Sequence, residues 1–133
     1  MIKYLPMEQV IQIHDSLIDE FGGLKGLRDR SLLESSIANP MTRVFGQEMY
    51  PTVFDKASCY LFSISRNHPF LDGNKRTASM SSIIFLRSNG NVVDYEENEF
   101  LEFVILVAQG KKSREQVSSY FRTVCQDQQK NIQ

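Results

Sequence analysis

The 133-residue chain has no tryptophan, two cysteines, two histidines and four prolines. Cys59 and Cys125 stand far apart and in no metal-binding or redox spacing, so neither a disulfide framework nor a CxxC centre organises the fold. Two free thiols are expected. No apolar run approaches the roughly 18 residues that would cross a bilayer, and no signal-peptide pattern opens the chain. A cytoplasmic protein with no membrane partner is therefore expected. An excess of one charge is missing too: 15 Lys and Arg stand against 16 Asp and Glu, a formal net charge of −1. Bulk charge gives no case for direct nucleic-acid binding, and Lys111, Lys112 and Arg114 are too few for a basic stripe. There is no internal repeat, low-complexity block or linker.

What is present is an ordinary globular composition, 41% hydrophobic and 23% charged, at a length that suits one domain. Helical spacing dominates. Pro6 suits a first helical residue, and Val10, Ile13, Leu17 and Phe21 follow at helical intervals until Gly22-Gly23 stop the run. After a glycine-rich loop to Arg28, Ser31 and Glu34 have the spacing of a capping box and open a short helix that ends by Asn39-Pro40. Residues 40–51 break the periodicity between two prolines and predict a loop or short hairpin. A long helix is predicted from about Thr52 to Asn67, with Val53, Ala57, Tyr60, Leu61 and Ile64 on one face. A second runs from about Asn74 to Ser88, with small residues Ala78, Ser79, Ser81 and Ser82 suited to close central packing. Residues 91–95 read as an extended link. Helices over 96–109 and from a capping box at Ser113 and Gln116 complete the chain, leaving a polar tail from Gln126 expected to fray. The pattern predicts an all-α domain over residues 1–125, of about six helices with a short hairpin.

The densest chemistry lies in residues 66–79, between the two long helices: Arg-Asn-His-Pro-Phe-Leu-Asp-Gly-Asn-Lys-Arg-Thr-Ala-Ser. Gly73 can take a positive φ and let backbone approach a ligand. Asn74 is the expected cap of the following helix, whose start offers free N–H groups and a positive dipole end to an anion. Lys75 and Arg76 are either solvated surface charges or phosphate contacts. Cations in a first helical turn are unfavourable unless an anion is present, which favours the second reading. Asp72 has two readings, a cap or a hard oxygen ligand of Mg²⁺ beside phosphates. Arg66 is equally read as a cation favoured by a helix C-terminus or as a third phosphate contact. His68 is either a helix-end histidine or a base able to take a proton near neutral pH. Phe70 is expected to peg the loop to the core, and His14, on an amphipathic helix, to be structural. The acidic run Asp94, Glu96, Glu97, Glu99 and Glu102 reads as a solvated helix start.

Residues 68–76, His-Pro-Phe-Leu-Asp-Gly-Asn-Lys-Arg, resemble the signature of the Fic/Doc superfamily, specifically of its Doc (death-on-curing) toxins. Gly26-Leu-Arg-Asp29 and Tyr50-Pro51 are similar to Doc-type chains as well, so the resemblance spans most of residues 1–125. It implies a helical core with the signature loop between two central helices, ATP as substrate and Mg²⁺ on Asp72. His68 would be general base, Asp72, Lys75 and Arg76 its catalytic companions, and Arg66, Gly73, Asn74, Lys75 and Arg76 the nucleotide contacts. The superfamily's AMP-transferring members have glycine at the position of Lys75 and a second arginine at the position of Ser79. Both departures point to the Doc type, which moves the γ-phosphate of ATP to a protein hydroxyl. The inhibitory Ser/Thr-x-x-x-Glu-Gly/Asn motif is matched at Ser16 and Glu20 but broken by Phe21, so the brake is expected from an antitoxin protein in trans. The resemblance also implies elongation factor Tu as the protein target, docked along residues 40–50. The alternatives are a Fic-type adenylyltransferase and a non-catalytic module that binds a nucleotide or an antitoxin.

Overall fold

The structure, a computed structural model, describes residues 1–126; of the tail expected to fray, residues 127–133 lie outside them. Among the described residues there are six helices: α1 (Met7–Phe21), α2 (Arg30–Ala38), α3 (Val53–Asn67), α4 (Asn74–Ser88), α5 (Glu97–Ala108) and α6 (Arg114–Val124). A hairpin of β1 (Arg43–Val44) and β2 (Gln47–Glu48) joins α2 to α3, after a 3₁₀ turn at Asn39–Met41. The all-α architecture with a short hairpin is as the periodicity predicts. No helix among the described residues is long and apolar enough to cross a membrane.

Helices α3 and α4 form the centre. From α3, Ala57, Cys59, Tyr60, Leu61 and Ile64 have no exposed surface; from α4, Ala78, Phe85 and Leu86 have none. Full burial of a large apolar side chain is worth about 1.5–3 kcal/mol, so this seam dominates the stability. The small residues Thr77, Ala78, Ser81 and Ser82 are buried and let the two helices approach closely. Helices α5 and α6 close over them through aromatic contacts, Phe100 stacking on Tyr120 with centroids 5.5 Å apart and Phe103 on Tyr120 at 4.5 Å. The N-terminal segment is fastened by Leu5 N donating to the Tyr60 hydroxyl at 3.1 Å. Burial pushes the Tyr60 phenol to about 12 and the Cys59 thiol to about 12, so both stay neutral at ordinary pH.

Four local expectations are corrected. Helix α1 begins at Met7, with Pro6 in extended backbone at the cap position. Helix α2 begins at Arg30, not at a Ser31 box: Asp29 Oδ1 accepts from Leu32 N at 3.1 Å and from the Ser31 hydroxyl at 2.7 Å. A carboxylate two residues upstream outcompetes the serine as cap. Asn74 is not the cap of α4; Gly73 is, at φ 75°, and Asn74 is the first helical residue. Lastly, residues 92–93 are not a lone link. They form β3 (Val92–Val93), antiparallel to β4 (Cys125–Gln126), with Val92 opposite Gln126. Extended backbone needs hydrogen-bond partners, and pairing therefore runs one residue past the expected boundary at 125. The capping box at Ser113 and Gln116 forms as expected, and α3 has one of its own, Thr52 with Asp55.

Candidate active site

Helix α3 ends at Asn67. His68 follows in the left-handed conformation, φ 52° and ψ 58°. Pro69 and Phe70 are buried, Leu71 and Asp72 exposed, and Gly73 turns the chain into α4. Phe70 is 1% exposed, the expected core peg. The Asn74 side chain closes the loop on itself: Oδ1 accepts from Phe70 N at 2.9 Å, and Nδ2 donates to Phe70 O at 3.0 Å.

A second segment lies along the loop. Leu71 N donates to Gly26 O at 3.1 Å, and both Arg28 N and Asp29 N donate to Pro69 O, at 2.8 and 3.0 Å. Leu27 and Phe70 form an antiparallel bridge. Leu24 N donates to Asp72 Oδ2 at 3.2 Å, while Gly73 N donates to Asp72 Oδ1 at 2.9 Å. Gly23 lets this segment pass: its φ is 125°, and a Cβ there would come within 2.7 Å of Asp72 Oδ2. Helix α1 supports the loop from inside. His14, fully buried, stacks on the Phe70 ring at 3.8 Å and 6°, and its Nε2 donates to Asp72 O at 2.8 Å.

The sequence-predicted site residues take these places. His68 is exposed at the end of α3, and Asp72 is exposed with its carboxylate oriented by two backbone amides. Lys75 and Arg76 are exposed in the first turn of α4, which carries no side-chain cap. The Arg76 guanidinium lies 4.1 Å over the Phe21 ring at the end of α1. Asn74 is buried and spends its side chain on Phe70, so its part in any anion site falls to its backbone N–H. Arg66 leans on its own helix, its guanidinium 5.1 Å over the Phe62 ring. It also lies against the α5–α6 turn, where a Cβ on Gly110 would come 3.3 Å from its Nη2.

Two supporting residues, Arg28 and Lys56, escape sequence reasoning, and the partners of a third, His14, do as well. Arg28 sends Nε to His68 O at 2.6 Å and Nη2 to Asn67 O at 2.7 Å. His14 is seen as structural, but its hold on the loop spans 58 positions and leaves no local pattern. Lys56 sits at 1% exposure, its Nζ donating to Tyr50 O at 2.5 Å and Glu48 Oε1 at 3.1 Å, so it ties the hairpin's base to α3. A lysine inside the apolar face of Val53, Ala57 and Tyr60 is the one signal that could have marked it.

Among the described residues no cluster of three or more His, Cys, Asp or Glu could hold a metal ion. A Mg²⁺ ion that arrives with a nucleotide needs less, one or two carboxylates beside phosphate oxygens and water. Asp72 fits that demand. Each carboxylate oxygen accepts one backbone N–H and keeps lone pairs for a hard cation.

Residues 4–86 match the model of the Fic/DOC family. Two curated proteins are similar over much of their length. The chain is 41% identical to Toxin Doc of Mycolicibacterium smegmatis over 90 residues, 68% of this chain and 67% of that protein. It is 33% identical to Protein kinase doc of Escherichia phage P1 over 121 residues, 91% of this chain and 94% of that one.

Proposed function

This chain belongs to the Fic/DOC family, and on that premise we propose that it is a Doc-type toxin that transfers the γ-phosphate of ATP to a hydroxyl of a protein target. The similarity to proteins named Toxin Doc and Protein kinase doc supports the class. The observation that carries the finer reading is the makeup of the α4 start: Lys75 and Arg76 stand exposed in a first turn that has no side-chain cap, and Ser79 stands one turn on. The superfamily's AMP-transferring pattern has glycine and arginine at the positions of Lys75 and Ser79.

In this reading His68 takes the proton of the target hydroxyl. The hydroxyl oxygen bonds to the γ-phosphorus as the bond from that phosphorus to the β–γ bridging oxygen breaks, and ADP leaves. Such a transition state has little covalent demand and asks for positioning and charge neutralisation. Lys75, Arg76 and the free N–H groups of α4 supply positive charge around the moving phosphoryl group. Asp72 would hold Mg²⁺, whose charge offsets that of neighbouring phosphates. The hairpin residues would receive the target segment as an added strand. Elongation factor Tu is the proposed target, and an antitoxin protein supplied in trans the proposed brake.

The test uses purified chain, bacterial lysate and ATP labelled at either the α or the γ position. Protein label from γ-labelled ATP alone is expected. Label from α-labelled ATP would make the chain an adenylyltransferase, and label from neither would favour a binding module.

A further inference from the structure

We infer that Arg28 is a positioning residue for His68, acting through the backbone that carries the imidazole. The inference rests on the reading of His68 as the base. His68 is one of two non-glycine residues with positive φ among those described, a conformation that carries strain the contacts around it must offset. A helix that ends in a left-handed residue normally satisfies its last carbonyls with N–H groups from the residues just beyond. Here the next residue is Pro69, which has no N–H.

Arg28 brings donors from another segment to the carbonyls of the last helical residue and of His68 itself. Its Nε donates to His68 O at 2.6 Å and its Nη2 to Asn67 O at 2.7 Å, while its own backbone N donates to Pro69 O at 2.8 Å. One residue thus grips three consecutive carbonyls. The guanidinium is planar, so its two side-chain bonds fix the relative orientation of both peptide groups, which a single-point ammonium does not do. Its positive charge also faces the negative end of the α3 dipole. Arg28 contacts the backbone that sets the imidazole's direction. Loss of the fork lets the 67–69 backbone relax, and an ångström of misplacement at a reacting group can cost ~10²-fold in rate.

The experiment measures transfer from γ-labelled ATP into bacterial lysate protein, with kcat and KM for ATP, for the parent, Arg28→Ala, Arg28→Lys, His68→Ala and the Arg28→Ala/His68→Ala double variant. Arg28→Ala is expected to lower kcat ~10²-fold with KM for ATP little changed, and Arg28→Lys to fall between it and the parent. In the His68→Ala background, removal of Arg28 is expected to add no further loss, because its effect passes through a base already gone. A merely structural role would instead add its full loss in both backgrounds, and that result would overturn the inference. So would parent-like kcat in Arg28→Ala beside an inactive His68→Ala, which leaves the base reading intact. Parent-like activity of His68→Ala would remove the base reading and the inference together. Should Arg28→Ala fail to fold, Arg28→Lys carries the test: a kcat equal to the parent's overturns the inference, and a lowered kcat at unchanged KM upholds it.

Discussion

The motif loop and the β1–β2 hairpin are assigned the two halves of the proposed chemistry, phosphate and protein target, and they are held in opposite ways. The loop is bound by several other segments while His68, Leu71 and Asp72 stay exposed. Residues 24–29 pair with it, His14 supports it from the core, and Asn74 and Arg28 close its carbonyls. The hairpin has two residue pairs and a tip, and residues 43–49 are all exposed. Its ties are at the base: Met49 N to Thr42 O, and the buried Lys56 to Tyr50 O and Glu48. Each region contains a non-glycine residue at positive φ. In the loop it is His68, over-determined by its neighbours. In the hairpin it is Phe45, which with Gly46 at φ 78° makes a two-residue turn with both φ positive, a type usually given Asn-Gly or Asp-Gly. A fully exposed phenylalanine there serves neither the turn nor the core. In the proposed chemistry, geometry is fixed where a proton and a phosphate would meet, and the surface is left open where a partner would fit.

Replacing His68 by alanine gives the largest effect expected. Transfer should fall ~10²–10⁴-fold with the melting temperature unchanged, since the side chain is exposed and a general base is worth that much. Full activity would end the contrast between the two regions. Next is His14→Ala, which removes the stack on Phe70 and leaves Asp72 O without its donor. A loss of about 2–4 kcal/mol in urea unfolding is expected, with weaker transfer. A stable, active variant would mean the loop does not need its inner support.

Phe45→Asn sharpens the other side. The turn prefers asparagine, so stability should hold or rise by a few tenths of a kcal/mol, while transfer to protein drops and KM for ATP stays. Equal rates on the protein target would show that the hairpin tip is not a docking element. The smallest effect concerns acid. Burial raises the Asp55 carboxyl, but hydrogen bonds from Ser118 and Thr52 outweigh it and hold the group below its ordinary range. A depressed carboxylate contributes stability above its unfolded value, about 3.9, and loses it as pH falls through the folded one. Melting temperature should therefore drop below about pH 4, and Asp55→Asn should flatten that slope. An unchanged slope would assign the acid response elsewhere.

Most of the fold is legible because its signals are local. The Ser113–Gln116 box, the Gly22-Gly23 stop and the small residues of α4 each act within a turn or two of chain. Two of the errors are local competitions that sequence does not rank, Asp29 against Ser31 for one cap and Asn74 drawn to Phe70 rather than to its own helix, whereas the missed pairing of Val92–Val93 with Cys125–Gln126 joins distant segments. In the candidate site, the residues of the loop are legible and their supports are not. Arg28 reaches His68 across 40 positions and His14 reaches Asp72 across 58, and no periodicity records a hydrogen bond between distant segments.

The most direct test of the account is the intact mass of elongation factor Tu after incubation with this chain, ATP and Mg²⁺, beside the same reaction with His68→Ala. One added phosphate with the parent and none with the variant is the expected result. An added AMP group, or the same phosphate with His68→Ala, would contradict it.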